Sequence, residues 1–199
     1  MRPLLIATRN KGKLVEIEHA LHGAPFELVS VNDVPALEGF EPEETGRTFE
    51  ENAVLKAKAY GERAAMLTLA DDSGLEVDAL GGAPGINTAR YAPGTDADRY
   101  HKLLAALENV PDGERGAQFV AVVALYDPRT GTSRTCEGAA RGRIMREPHG
   151  TGGFGYDPVF FYDDMGKTGG QSTTEEKSKV DHRGKAMEKA REILGTEFI

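Results

Sequence analysis

A chain of 199 residues, 39% apolar and 28% charged, suffices for one domain with a proper hydrophobic core or two intimate lobes, and its composition is ordinary for a globular protein. The net charge of −8 disfavours broad nucleic-acid binding, which needs a basic footprint, and no apolar run approaches the length of a membrane span. The single cysteine, Cys136, excludes an intrachain disulfide framework; with no signal-peptide pattern ahead of Pro3–Ala7, the expectation is a cytoplasmic protein that does not engage a membrane.

Leu4–Ala7 reads as a strand and Thr8–Lys13 as the turn after it. A helix follows, with Leu14, Ile17 and Leu21 on one stripe. The turn is basic: Arg2, Arg9, Lys11 and Lys13 all precede the first acid, Glu16. Such a turn can surround an anion with N–H groups and ammonium ions, but the P-loop spacing is absent and a plain connection is the simpler reading. Phe26–Ser30 is a second strand. Residues 32–47 form a loop long enough to suspect a binding role, and Glu38, Glu41, Glu43 and Glu44 there, with Glu50 and Glu51 beyond, face Arg47 alone. A basic turn and an acidic segment suit a phosphate-plus-cation site, and equally two solvated surfaces.

Thr48 and Glu51 match a capping box that opens a helix running to about Met66, on which Asn52 and Lys56 share a face. Leu69–Leu75 reads as a short buried strand that stops at Asp71-Asp72 and a turn. Two carboxylates there are costly unless a lysine, an arginine or a metal ion answers them. Gly81–Ile86 is an irregular glycine-proline turn, and Arg90 follows within reach of the site. Thr95 or Asp96 caps a helix with Tyr100, Leu103, Leu104 and Leu107 inward.

Phe119–Leu125, apolar on both faces, is the expected central strand. Ser133–Gly138 and a further strand near Arg143–Met145 extend the meander, with Cys136 packed inside it. Gly150–Gly155 matches G-x-G-x-x-G. It leads into a turn and a strand rather than a helix, which rejects a dinucleotide fold; a glycine loop presenting Phe154 and Tyr156 for stacking on a base is the better reading. The last helix has Met187, Ala190 and Leu194 inward, and His182-Arg183 at its start are donors suited to a carbonyl or a phosphate.

In order along nearly the whole chain these pieces resemble the inosine and xanthosine triphosphate pyrophosphatases. The resemblance rests on Thr8-x-Asn10-x-x-Lys13, Glu43-Glu44-Thr45-Gly46 with Thr48-Phe49-x-Glu51-Asn52-Ala53, and Ala70-Asp71-Asp72-Ser73-Gly74-Leu75. It continues through Gly81–Ile86, Ala89-Arg90-Tyr91, Gly150–Phe160, Glu175-Glu176-Lys177-Ser178 and His182-Arg183-Gly184. Arg9 departs from the glycine that relatives often carry.

The resemblance implies an α/β fold: a long twisted mixed sheet flanked by helices, one domain over residues 1–199 with two lobes and a substrate cleft between them. It implies Mg²⁺-dependent hydrolysis of ITP, dITP or XTP to the monophosphate and pyrophosphate by a homodimer. By the same resemblance Thr8, Arg9, Asn10, Lys11, Gly12 and Lys13 cradle the triphosphate, and Lys56 adds charge. Glu43 and Asp72 serve the metal, Asp72 is the proton acceptor, and Ser73 lies beside the substrate. Phe154, Gly155, Tyr156, Asp157, Lys177, His182 and Arg183 surround base and sugar, with Arg90 a further contact. Two competing readings are a septum-inhibitor-like pyrophosphatase of related architecture, disfavoured by the intact Thr8–Lys13 turn and the His182-Arg183 pair, and a nucleotide sensor without chemistry, disfavoured by Asp72, Glu43 and Lys13.

Overall fold

The computed structural model describes residues 1–198. Its strands are β1 (Arg2–Ile6), β2 (Phe26–Ser30), β3 (Leu67–Val77), β4 (Gly116–Asp127), β5 (Thr132–Ile144), β6 (Phe160–Tyr162) and β7 (Lys167–Thr168). They form one mixed sheet in the order β2-β1-β3-β4-β5-β6-β7, with β1 parallel to β2 and β3, and β6 antiparallel to β5 and β7. The helices are α1 (Lys11–Ala20), α2 (Phe49–Ala64), α3 (Asp96–Ala106), α4 (Thr174–Ser178) and α5 (His182–Glu197). Two compact units divide the chain: one holds Met1–Asp72, Ala121–Gly138 and the residues from Lys185 on, the other Ser73–Val120 and Ala139–Gly184.

In the first unit one face of the sheet supplies Leu4, Ile6, Leu67, Leu69, Ala121, Val123 and Leu125 to a core that α1 and α5 close with Ile17, Leu21, Met187, Ala190 and Leu194. A buried leucine or isoleucine contributes roughly 1.5–3 kcal/mol, so this layer is the main adhesive of the unit. Cys136 packs against the same cluster, as its sequence context implies, and burial pushes its thiol up to about 11. In the second unit Leu75, Val77, Leu103, Leu107, Ala117, Phe119, Val159, Phe160 and Tyr162 form the corresponding core. The inward stripe on α3 contributes Leu103 and Leu107 fully buried, with Tyr100 and Leu104 partly so.

Three expected boundaries move. The strand read as stopping at Asp71-Asp72 instead runs through them for eleven residues to Val77. The small Ser73-Gly74 pair is compatible with a strand, and the alternation resumes at Leu75 and Val77, both fully buried. The two strands expected at Ser133–Gly138 and Arg143–Met145 are one, β5, because no turn residue pair separates them. Lys11, Gly12 and Lys13 lie inside the first turn of α1 rather than in the preceding loop, since Asn10 is the N-cap and accepts from the Lys13 N–H at 3.1 Å.

β5 and β6 approach closely at Gly142, where a built Cβ falls 2.2 Å from the Phe161 carbonyl oxygen and 2.9 Å from the Phe160 ring. Gly142→Ala is expected to lower stability by about 1–3 kcal/mol through overpacking, read as a reduced midpoint in thermal or urea unfolding.

Candidate active site

Successive side chains of a strand point to opposite faces, so carrying β3 straight through Asp71 and Asp72 separates the two carboxylates. Asp71 shares the parity of Leu67 and Leu69, on the face covered by α1. There it meets the Lys13 ammonium at 2.9 Å, its own side chain fully buried. Asp72 has the parity of Thr68 and Ala70 and meets α2: the Asn52 amide donates to its Oδ2 at 3.2 Å and Lys56 Nζ lies 3.4 Å from its Oδ1. Asn52 and Lys56, one helical turn apart on α2, thus act on one carboxylate.

The acidic loop joins this arrangement through Asn52. The Asn52 side-chain oxygen accepts from the Gly46 N–H at 2.8 Å while its amide nitrogen faces Asp72, so a fully buried side chain ties loop to strand. Gly46 is required by proximity, since a Cβ there falls 2.6 Å from Asn52 Oδ1. Glu44 completes the group, its Oε1 2.9 Å from Lys56 Nζ. Two carboxylates therefore converge on one ammonium ion.

The charges are unevenly balanced. Burial raises the Asp72 carboxyl above the usual aspartate range, and Lys56 and Lys13 offset this only in part, with Glu44 and Asp71 adding repulsion. For Lys56 desolvation is the largest influence and acts downward, but Asp72, Asp71 and Glu44 together outweigh it and leave the ammonium above its ordinary value. Lys56 thus stays protonated, whereas ionised Asp72 is held at a cost.

In the second unit, Asp157 and Lys177 form a buried ion pair at 2.6 Å, and the same Asp157 oxygen accepts from the Phe154 N–H at 2.9 Å. The Phe154 ring centroid lies 5.1 Å from Lys177 Nζ and 5.7 Å from the Arg183 guanidinium carbon, a cation-π arrangement with two cations. Arg183 donates to Ser73 Oγ at 2.9 Å, and the His182 ring stacks on Phe119 at 4.7 Å. His182 and Arg183 open α5, where Asp181 Oδ1 accepts from the Gly184 N–H at 2.6 Å. Gly184 admits the end of α4: a Cβ there would sit 1.8 Å from the Ser178 carbonyl oxygen. That close approach brings Lys177 and Arg183 to one aromatic ring.

Of the residues expected from sequence, Lys13, Lys56 and Asp72 gather in the first unit, and Ser73, Phe154, Asp157, Lys177 and Arg183 in the second. Gly155 follows Phe154 with φ +63°, and Tyr156 is buried with its hydroxyl donating to the Thr88 carbonyl at 2.9 Å. Thr8 accepts from the Asn10 N–H, and Lys11 is exposed at the first turn of α1 beside Gly12. Arg9 is committed elsewhere: its guanidinium donates to Asn32 Oδ1, the Leu37 carbonyl and the Phe40 carbonyl, bracing the 32–40 loop. Arg90 lies exposed at the end of a 3-10 segment, and Glu43 is exposed while its neighbour Glu44 meets Lys56.

The sequence does not single out Glu44, and it marks Asn52 only as sharing a helix face with Lys56. The signal for Asn52 was present, as it lies four residues from Lys56, but only the packing shows it buried between Gly46 and Asp72.

Among the described residues no group of three or more His, Cys, Asp or Glu side chains is placed to hold a metal ion by itself. A magnesium-type ion needs less, one or two carboxylates completed by water and phosphate oxygens. Asp72 and Glu44, two hard oxygen donors already turned toward a common cation, fit that requirement.

The Ham1 family model matches residues 4–193, and the chain belongs to the Ham1 family. A protein of Desulforamulus reducens named dITP/XTP pyrophosphatase is 46% identical, the match covering 98% of this chain and 97% of that one. The dITP/XTP pyrophosphatase of Geobacter sulfurreducens is also 46% identical, over 100% of both chains. The solved structure of a HAM1 protein from Coxiella burnetii superposes with a TM-score of 0.87 at 37% identity, covering 98% of this chain and 99% of that one.

Two outcomes follow for the first-unit cluster. Asn52→Ala leaves the Gly46 N–H without its acceptor and removes the amide donor to Asp72 Oδ2, and is expected to cost about 1–3 kcal/mol in urea unfolding. The Asp72 carboxyl is easier to protonate folded than unfolded, so the folded state binds the extra proton and stability rises as pH falls toward that pKa. Metal-free Asp72→Asn is therefore expected to be more stable than the parent at pH 7, with the gap narrowing on acidification, measured as unfolding midpoints from pH 7 to pH 4.

Proposed function

We propose that this protein hydrolyses non-standard purine nucleoside triphosphates, ITP, dITP and XTP, to the monophosphate and pyrophosphate with Mg²⁺. The observation that carries the reading is the buried Asp72 carboxylate, flanked by Asn52 and Lys56 and held at a cost that a substrate-borne cation would relieve. Family membership and the names of the full-length relatives support the same reading.

Cleavage between the α- and β-phosphates needs charge neutralisation, positioning and an oriented water. Lys13 and Lys56, with the Thr8–Lys13 segment, meet the triphosphate. Asp72 orients the attacking water and accepts its proton, while Asp72 with Glu44 and the neighbouring Glu43 would hold the ion. When bound, Mg²⁺ supplies neutralisation of the phosphate oxygens. Asp71, already paired with Lys13, braces the strand.

Residues of the second unit read the base. Phe154 offers a face for stacking, and His182, Arg183 and Lys177 offer donors. The 6-oxygen of hypoxanthine or xanthine accepts a hydrogen bond where adenine presents an amino group, so adenine leaves these donors opposite a donor. In this reading the chain is a single catalytic domain, working as a homodimer in the cytoplasm. Among the described residues no helix is long and apolar enough to cross a membrane.

Release of pyrophosphate and orthophosphate should be measured with ITP, dITP, XTP, ATP, GTP and dTTP, with Mg²⁺ and with EDTA. Pyrophosphate as the primary product, a strong preference for ITP over ATP, and loss of activity in EDTA are expected; orthophosphate as primary product or equal rates on ATP and ITP would overturn the proposal. Asp72→Asn should fold and lose about 10²-fold or more in kcat.

A further inference from the structure

The glycine loop around Phe154 is held at three consecutive residues, once from within the loop and twice by distant segments. Phe154 N–H donates to Asp157 Oδ2 at 2.9 Å, Gly155 N–H donates to Asp96 Oδ2 at 2.7 Å, and the Tyr156 hydroxyl donates to the Thr88 carbonyl at 2.9 Å. The first and third anchors lie among residues already assigned to the site or in the core. The second comes from α3, 59 residues away in sequence, a helix with no other part in the chemistry.

Asp96 is the first residue of α3, and an acid there has an ordinary explanation, the favourable field of a helix N-terminus. Capping, however, is done by others. Thr95 is the N-cap and accepts from the Asp98 N–H, and Asp98 returns the bond to the Thr95 N–H at 2.7 Å, a complete capping box. The Asp96 carboxylate is turned away from these groups: one oxygen meets the Arg99 guanidinium and the other the Gly155 N–H.

Gly155 itself has φ +63°, with nothing within 4 Å of a built Cβ. Glycine is therefore needed there for backbone conformation rather than space, and the loop is intrinsically free at that residue. A charge-assisted bond to its N–H removes that freedom immediately beside the aromatic ring that faces Lys177 and Arg183.

We propose that Asp96 is a positioning residue for base recognition: through the Gly155 N–H it holds the Phe154 ring against Lys177 and Arg183, ready to receive a 6-oxopurine. The inference rests on the functional reading above, in which those three side chains meet the base. Asp96 touches no substrate; it removes the conformational cost of ordering the loop on binding.

The test compares Asp96→Ala, Asp96→Asn and, as a helix-cap control, Thr95→Ala. Steady-state constants for ITP, calorimetric binding of IMP without metal, melting temperature and amide exchange at Gly155 are read for each. Asp96→Ala is expected to weaken IMP binding and raise KM for ITP by about tenfold each, the equivalent of one lost hydrogen bond, with kcat within about threefold. Gly155 amide exchange should accelerate in the same variant. Asp96→Asn, whose side-chain oxygen can accept the same N–H, should restore most of the binding, and Thr95→Ala should lower the melting temperature while binding IMP as the parent does.

Parental IMP binding in Asp96→Ala, equal impairment in Asp96→Asn, or equal loss in Thr95→Ala would overturn the positioning role. Failure of the parent protein to bind IMP or cleave ITP would instead remove the functional reading, and the inference with it. Unchanged Gly155 exchange in Asp96→Ala would overturn the inference whatever the substrate.

Discussion

The polar organisation of the first unit turns on two adjacent carboxylates in the middle of a buried strand. Because side chains alternate along β3, Asp71 and Asp72 cannot share a partner on one face, and each must be met from its own side. Lys13 comes from α1 for Asp71; Lys56 and Asn52 come from α2 for Asp72. Each helix is thereby tied to the strand by charge as well as by packing, because a buried charge left unmet is costly. The two carboxylates end in different conditions. Asp71 forms a buried pair, whereas burial leaves Asp72 harder to ionise than a free aspartate.

The second unit solves a related problem with glycines. Asp157 is buried against Lys177, and its neighbourhood leaves no room for side chains: Cβ atoms built at Gly153 and Gly169 fall 2.1 Å and 2.6 Å from its carboxylate oxygens. Gly150 lies against the Gly170 carbonyl and Gly184 against the Ser178 carbonyl in the same way. These contacts explain a glycine-rich segment whose literal dinucleotide pattern has another origin. The glycines let backbone close around a charged pair, and no phosphate-binding helix follows them.

Much of the architecture was legible beforehand, for identifiable reasons. β2 was readable because its five residues are bounded by turn signals, and α3 because the N-cap Thr95 opens a helix with a clean apolar stripe from Tyr100 on. β3 was misread because two aspartates look like the end of a strand when their partners are unseen. β5 was divided in two because its alternation is weak around Gly138-Ala139-Ala140. At the site, Lys56 and Asp72 stood out as residue types in a pattern. Glu44 did not: adjacent glutamates in a loop are indistinguishable until one of them is seen to meet Lys56.

The sequence by itself determined most element types, the inward faces and the chemical kinds present: carboxylates on an apolar strand, lysines in a basic turn and on a helix, a glycine loop with an aromatic ring. Those follow from local periodicity, capping and composition, which act over a few residues. Which lysine answers which carboxylate, that Asn52 joins Gly46 to Asp72, and that the start of α3 holds Gly155 were decided only by tertiary structure. Each joins residues between 6 and 59 positions apart across separate elements, and a hydrogen bond or ion pair is set by distance in space, which no local pattern records.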